Sequence, residues 1–204
     1  MALSANALTS LTAVKAYLGL ADDLHDNLLE SLIEAVSAQF MAHTGRHLAA
    51  RDYSPDPADP AYDPDNALLD GSGYPEQLLP QYPVRGISQV RLEGVLLPPA
   101  LGPGQTGYVL DAAAGVLGLT QGVFSRGRHN LAITYRAGFD HIPAELAQAC
   151  LEQVVVRFQE SAAGQGRLGV SARNLPDGSV SYASAPLLPQ VAAVLDRYRG
   201  RSLL

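Results

Sequence analysis

Two stretches of this chain place apolar residues at helical spacing, and residues 46–141 between them do not. Leu29, Leu32, Ile33, Val36 and Phe40 recur every three or four positions, and Ile142, Leu146, Cys150, Val154 and Phe158 recur every four. That period lays one apolar stripe along a helix, and a stripe has to be buried against another element. The spacing predicts helices over about Asp22–Thr44 and Pro143–Ala163. Asp22 or Asp23 stands where a side chain caps the first, and Gly45 where a left-handed residue ends it. Pro143 suits the first position of the second helix, where a missing N–H costs nothing, and Gly164 marks its end. A shorter helix is expected at about Thr12–Leu18, closed by Gly19. A last one is expected at about Pro189–Arg199, with Leu188, Val191, Leu195 and Tyr198 on one face and Gly200 as its stop.

The intervening residues have a different grammar. From Arg51 to Gly73, repeated Asp-Pro steps disfavour helix and deny a sheet its N–H donors, which predicts an exposed loop or arm. Beyond it, Leu78–Val84 and Ile87–Leu97 carry β-branched residues and alternation. Gly107–Asp111 and Gly115–Leu119 read as the arms of a hairpin, and Asn130–Phe139 supplies another strand. Few and short, these strands are expected to form a small subdomain packed on the helices. The expectation is therefore α+β, mainly α: a small helical bundle with a β-rich insertion between its second and third helices. One structural domain is expected, with N-terminal helices over 1–50, the loop and insertion over 51–140, and the C-terminal helices with their loop and tail over 141–204.

Composition excludes several function classes. The net charge of −6, with 14 basic against 20 acidic residues, argues against a protein that grips nucleic acid through its phosphates. A single cysteine, Cys150, excludes an internal disulfide framework, and its apolar helical setting predicts a buried structural thiol. The N-terminal residues lack the basic start and apolar core of a signal peptide, and no apolar run is long enough to span a bilayer. A reducing cytosol and no membrane partner are expected.

The chemical motifs are weak. Gly164-Gln165-Gly166-Arg167-Leu168-Gly169 matches a dinucleotide-binding pattern, but it follows a helix where that motif must open one after a strand. His43 and His47 have metal-ligand spacing, yet Gly45 puts His47 beyond the helix end, and no glutamate follows His43. Asp52, Asp56, Asp59, Asp63, Asp65 and Asp70 do not follow a calcium-loop pattern. Ser72, between Gly71 and Gly73, more simply makes a turn. Neither a nucleophile elbow nor a cysteine-protease signature is present. No catalytic residue, cofactor or metal site is expected, and the chain reads as non-enzymatic.

Two segments remain as candidates for assembly. The C-terminal run holds Arg197, Tyr198, Arg199, Arg201, Leu203 and Leu204, the chain's basic cluster. It reads equally as complement to a helix dipole or as a partner-docking peptide, since arginine and tyrosine are enriched at interfaces. The segment Arg167–Ala185 contains Pro176-Asp177-Gly178, a turn signal, and reads as a hairpin or a mobile loop. Its candidate residues are Arg173, Asn174, Asp177, Gly178, Val180 and Tyr182.

The order of these pieces resembles the head–tail connector family of long-tailed phages and prophages, also called head-completion or DNA-packaging adaptor proteins. The resemblance runs over roughly Leu11–Arg199. It rests on LTAVKAYLGL before an acidic start, on Thr44-Gly45-Arg46, on Tyr135-Arg136-Ala137-Gly138-Phe139 before Ile142-Pro143, and on the closing Tyr198-Arg199. The Asp-Pro loop over 52–70 departs from the pattern, and its role stays open.

The resemblance implies a subunit of a homo-oligomeric ring, commonly of twelve copies, docked under the portal protein in the virion neck. Such a ring extends the DNA channel without specific DNA binding and seats the next neck, stopper or tail protein. Its subunits are made in the host cytoplasm, and the two segments above become docking elements. The alternatives are a tail-terminator or stopper ring, and a small metal-dependent hydrolase using His43, His47 and the loop aspartates.

Overall fold

The computed structural model describes residues 3–102, 104–161, 163, 172–175, 178–181 and 186–200. The chain opens with helices α1 (Leu11–Leu18) and α2 (Asp26–Thr44). Strand β1 (Arg51–Tyr53), a short helix α3 (Pro64–Ala67) and strands β2 (Leu68–Gly71), β3 (Glu76–Leu78), β4 (Val84–Leu92) and β5 (Val95–Leu96) follow. Then come β6 (Tyr108–Asp111), β7 (Val116–Leu119), β8 (Gly127–Ala137), α4 (Ala144–Glu160), β9 (Ala172–Leu175), β10 (Gly178–Ser181) and α5 (Pro189–Asp196). Two compact units result: a helical one from residues before Arg46 and from His141–Arg199, and a β-rich one built on Arg46–Asp140.

In the helical unit, α2 packs on α4, α1 lies against both, and α5 closes on α4 and α2. The two stripes meet as their spacing requires: Leu29, Ile33, Val36 and Phe40 are buried, as are Leu146, Cys150, Val154 and Phe158. Gly19 and Gly45 end their helices in the left-handed conformation, at φ 69 in both cases, as the sequence predicts.

The start of α2 differs from expectation. Its N-cap is His25, without a side-chain cap bond. Asp23 and Asp26 instead receive Lys15 Nζ, each at 2.7 Å, so the chain's single lysine ties α1 to the entry of α2. Helix α4 begins one residue later than predicted, with Pro143 as N-cap, and it ends at Glu160. The expected stop, Gly164, lies outside the described residues. Helix α5 ends at Asp196, short of the predicted Arg199.

The β-rich unit corrects the fold class. Its main sheet runs β1-β8-β4-β5, all antiparallel, with β2 pairing β8 on the same side as β1; a second sheet runs β3-β7-β6. The protein is thus mixed α+β and not mainly α. This sheet also has a core of its own, built on Tyr53, Val90, Phe124, Leu131, Ile133 and Tyr135. Leu131, Ile133, Tyr135 and Ala137 alternate inward along β8, which spans 11 residues, the period a half-buried strand requires. Strands β6 and β7 form the expected hairpin.

The Asp-Pro segment is likewise not a free arm. Strand β1 starts it, Ser54 bridges to Tyr62, Asp63 caps α3 through the Asn66 N–H, and β2 ends it. The prolines withhold N–H donors, but the aspartates supply acceptors. Asp56 Oδ1 takes the Ala58 N–H at 2.9 Å and Asp59 Oδ1 takes that of Ala61 at 2.8 Å. Local turns therefore replace ladder bonds while Tyr53 and Ala67 stay fully buried.

Candidate functional site

In the helical unit, the C-terminal run leaves α5 and folds onto the first turn of α4. Arg197 Nη2 and Tyr198 Oη both donate to the Glu145 carboxylate, one to each oxygen. Asp196 stands at the centre of a second group: His43 Nε2 lies 3.0 Å from its Oδ1, and Arg199 Nη1 lies 3.9 Å from the same atom. Glu145 suits its place because the N-terminal end of a helix favours negative charge. Arg197, Tyr198 and Arg199 are each engaged with a neighbour on their own unit. These pairs are well exposed, so each contributes at most about 1 kcal/mol. Arg201, Leu203 and Leu204 lie outside the described residues.

The return of the chain into α5 is held more firmly. The Pro186 carbonyl accepts from Gln39 Nε2 at 3.2 Å and from Arg157 Nη2 at 3.1 Å, while Gln153 Oε1 accepts the Leu188 N–H at 3.0 Å. Gln153 is buried, and spending its amide on backbone fixes where α5 begins. Nothing in the sequence pattern singles out these glutamines, because both sit on helices whose apolar stripe dominates the reading.

The second candidate segment is paired. Strands β9 and β10 are antiparallel, with Arg173 opposite Val180, Asn174 opposite Ser179 and Leu175 opposite Gly178. Asp177 and Tyr182 lie outside the described residues.

The chemistry weighed from sequence finds these surroundings. His43 is engaged by Asp196. His47 belongs to the β-rich unit, where its ring lies 6.2 Å from that of Tyr53, and burial pulls its pKa below the ordinary value of 6.5. Among the described residues no three His, Cys, Asp or Glu side chains converge as metal ligands. Ser72 Oγ donates to the Glu76 carbonyl at 2.8 Å and braces a turn. Cys150 is buried beside Ser37, and burial pushes its thiol up to about 12. That makes thiolate chemistry negligible at neutral pH.

The β-rich unit also contains polar groups to which sequence reasoning gave no structural role. Arg46 is buried, donates to the Tyr82 carbonyl at 2.6 Å and lies 4.0 Å from the centroid of the Tyr82 ring. Gln81 accepts the His47 N–H at 2.9 Å and donates to Asn66 at 2.8 Å, and the Asn66 carbonyl in turn accepts Tyr135 Oη at 3.0 Å. This chain of bonds fixes α3 and the entry to β4 against β8. It is structural, since each of these bonds closes inside the unit.

A family model described as head completion protein matches residues 7–200. Comparison with curated proteins gives no match. Among solved structures, the chain is similar to a chain in the neck of an empty GTA particle computed with C6 symmetry, with a TM-score of 0.56 at 19% identity, covering 100% of this chain and 95% of that one. It is similar to a chain in the neck of a native GTA particle computed with C12 symmetry, with a TM-score of 0.54 at 20% identity, covering 100% and 94%. A chain in the virion of a native gene transfer agent particle gives a TM-score of 0.54 at 20% identity, covering 100% and 95%.

Proposed function

The chain belongs to the head completion protein family, and on that premise we propose that it is a non-enzymatic structural subunit of a ring in the virion neck. The ring docks beneath the portal protein, extends the DNA channel and presents a platform to the next neck or tail protein. The observation that carries this reading is the extent of the family match, which takes in both units and not one motif. The likeness in fold to chains of neck structures computed with C6 and C12 symmetry supports a cyclic assembly. A net charge of −6 suits a wall along which DNA must slide, because strong phosphate contacts would retard passage. Assembly takes place in the host cytoplasm, and DNA passes without specific binding. Family membership favours this reading over a tail-terminator or stopper ring.

Docking to the portal is assigned to the C-terminal run, with the β9–β10 hairpin as a second contact. A portal carboxylate that replaces Glu145 would free nothing new; it would exchange one exposed ion pair for another, which keeps the energetic cost of release small. The test is to add the purified chain to portal-bearing heads and image the neck. New density beneath the portal is expected, and heads that bind the chain nowhere near the portal would end this reading.

A further inference from the structure

Three large exposed apolar side chains of the β-rich unit, Val95, Leu96 and Leu101, lie on or beside one edge of its main sheet. Strand β5 is the outer strand on that side, and its two residues, Val95 and Leu96, are 66% and 55% exposed. Leu101, a few residues on, is 85% exposed, and Pro99 bridges the same segment to Tyr108 of β6. Residues 94–110 contain no charged side chain at all. Sheets usually protect such an edge with charges, and a bare apolar edge is a surface that assembly covers. The nearest outward charge on β4 is Arg91, exposed and bonded to the Gly94 carbonyl at 3.2 Å, while Glu93 in the intervening turn is held by Ser125 Oγ at 2.6 Å.

The opposite edge, roughly 14 Å away across three strand spacings, is built by β1, β2 and the Asp-Pro segment. It has the complementary character. The nearby cations are already in ion pairs, Arg51 with Asp63 and Arg136 with Asp52. Asp56, Asp59 and Asp65 have no cation among the described residues. Tyr62 is 45% exposed beside them, between Pro60 and Pro64, and offers apolar surface on the same rim.

A ring made of identical subunits needs two different faces per subunit that fit each other head to tail. We infer that these two edges are those faces: the β5 edge of one copy, with Arg91, Val95, Leu96 and Leu101, seats on the Asp-Pro edge of the next copy, with Asp56, Asp59 and Tyr62. This rests on the ring reading above and assigns its lateral contact to the β-rich unit, giving the Asp-Pro segment a role that sequence left open. Apolar burial supplies the attraction, and the arginine against carboxylates that have no cation among the described residues supplies register.

Cross-linking tests it on the full chain. The variant carrying both Ala58→Cys and Leu96→Cys, treated with a short bis-maleimide at high protein concentration, should give a ladder of species above dimer. Each single variant should give at most dimer. The wild-type chain, whose only cysteine is buried, should give neither. Adding Arg91→Glu and Val95→Glu to the double variant should reduce the ladder at least tenfold with unchanged circular dichroism. A double variant that yields no more than the single ones overturns the inference, as does a ladder indifferent to the added glutamates. Either result leaves the connector reading intact if heads still gain neck density. A ladder without such density would fault the connector reading alone.

Discussion

The helical unit and the β-rich unit bury comparable cores and expose very different surfaces. In the helical unit, two matched stripes face each other, the buried polar groups are few, and among the described residues only Tyr17 and Leu24 stand out as large exposed apolar side chains. In the β-rich unit, the core is wrapped around paired tyrosines and a bonded network through Arg46, Gln81 and Asn66, while Tyr62, Tyr74, Val95, Leu96, Leu101, Val109 and Val123 are exposed. The difference teaches where association has to be sought. A helix hides its apolar residues on one face by rotation, so little is left over. A sheet has two edges that its own chain cannot always cover.

The largest expected effect tests whether the two cores are separate. Phe40→Ala in the helical unit should cost about 3–5 kcal/mol, and Ile133→Ala in the β-rich unit about 2–5 kcal/mol. The chain has no tryptophan, and most described tyrosines lie in the β-rich unit, so tyrosine fluorescence follows that unit while far-ultraviolet circular dichroism weights the helices. In urea, Phe40→Ala should move the circular dichroism transition more than the fluorescence transition, and Ile133→Ala the reverse. Coincident shifts in both would show one cooperative core and break the comparison.

The tyrosine pair sharpens it at a finer scale. Tyr53 and Tyr135 stack at 5.1 Å between ring centroids; the Tyr135 hydroxyl has a partner, whereas the buried Tyr53 Oη has none among the described residues. Tyr135→Phe should therefore lose about 1 kcal/mol by unfolding, whereas Tyr53→Phe should be neutral or stabilising. A larger loss at Tyr53 would reveal a bond to that hydroxyl in solution.

His47 gives the β-rich unit a pH-dependent contribution to its stability. Burial depresses its folded pKa below 6.5, so the unfolded chain binds its proton first as pH falls. The associated stability is present above about pH 6.5 and is lost as pH drops through that value toward the folded pKa. His47→Gln should flatten this part of the stability curve, measured by urea midpoints between pH 7.5 and 5.5; an unchanged slope would assign it to other groups.

Smallest of all is the tail. Glu145→Gln should change stability by at most about 1 kcal/mol while making the Arg197 and Tyr198 resonances more mobile by NMR. A large loss of stability would mean the run is part of the core and not a docking element.

How much of this was legible depends on the range of the contacts. The residues of α2 and α4 announce themselves because their stripes repeat within one helix, and Gly19 and Gly45 mark ends by backbone geometry alone. The same reasoning mistook Asp22 and Asp23 for caps. A carboxylate near a helix start is drawn equally to orphan N–H groups and to a lysine on another helix, and only the position of Lys15 decides between them. Arg197, Tyr198 and Arg199 were found as a group, but their engagement with Glu145 and Asp196 was not, because those partners come from a helix start and a helix end that meet only in space.

Taken by itself, the sequence determined the helical period, the turn positions, the burial of Cys150 and the family. What only the tertiary structure decided is the weight of the β-rich unit. Strands β1 and β2 are short, flanked by prolines and far in sequence from β8, so neither looks like a strand in isolation. They become strands because β8 offers a ladder of N–H and C=O groups that must be answered on both sides. Helical bonds close within a few residues and are written locally. Sheet bonds close wherever the chain brings a second edge, and for this protein that edge is the Asp-Pro segment.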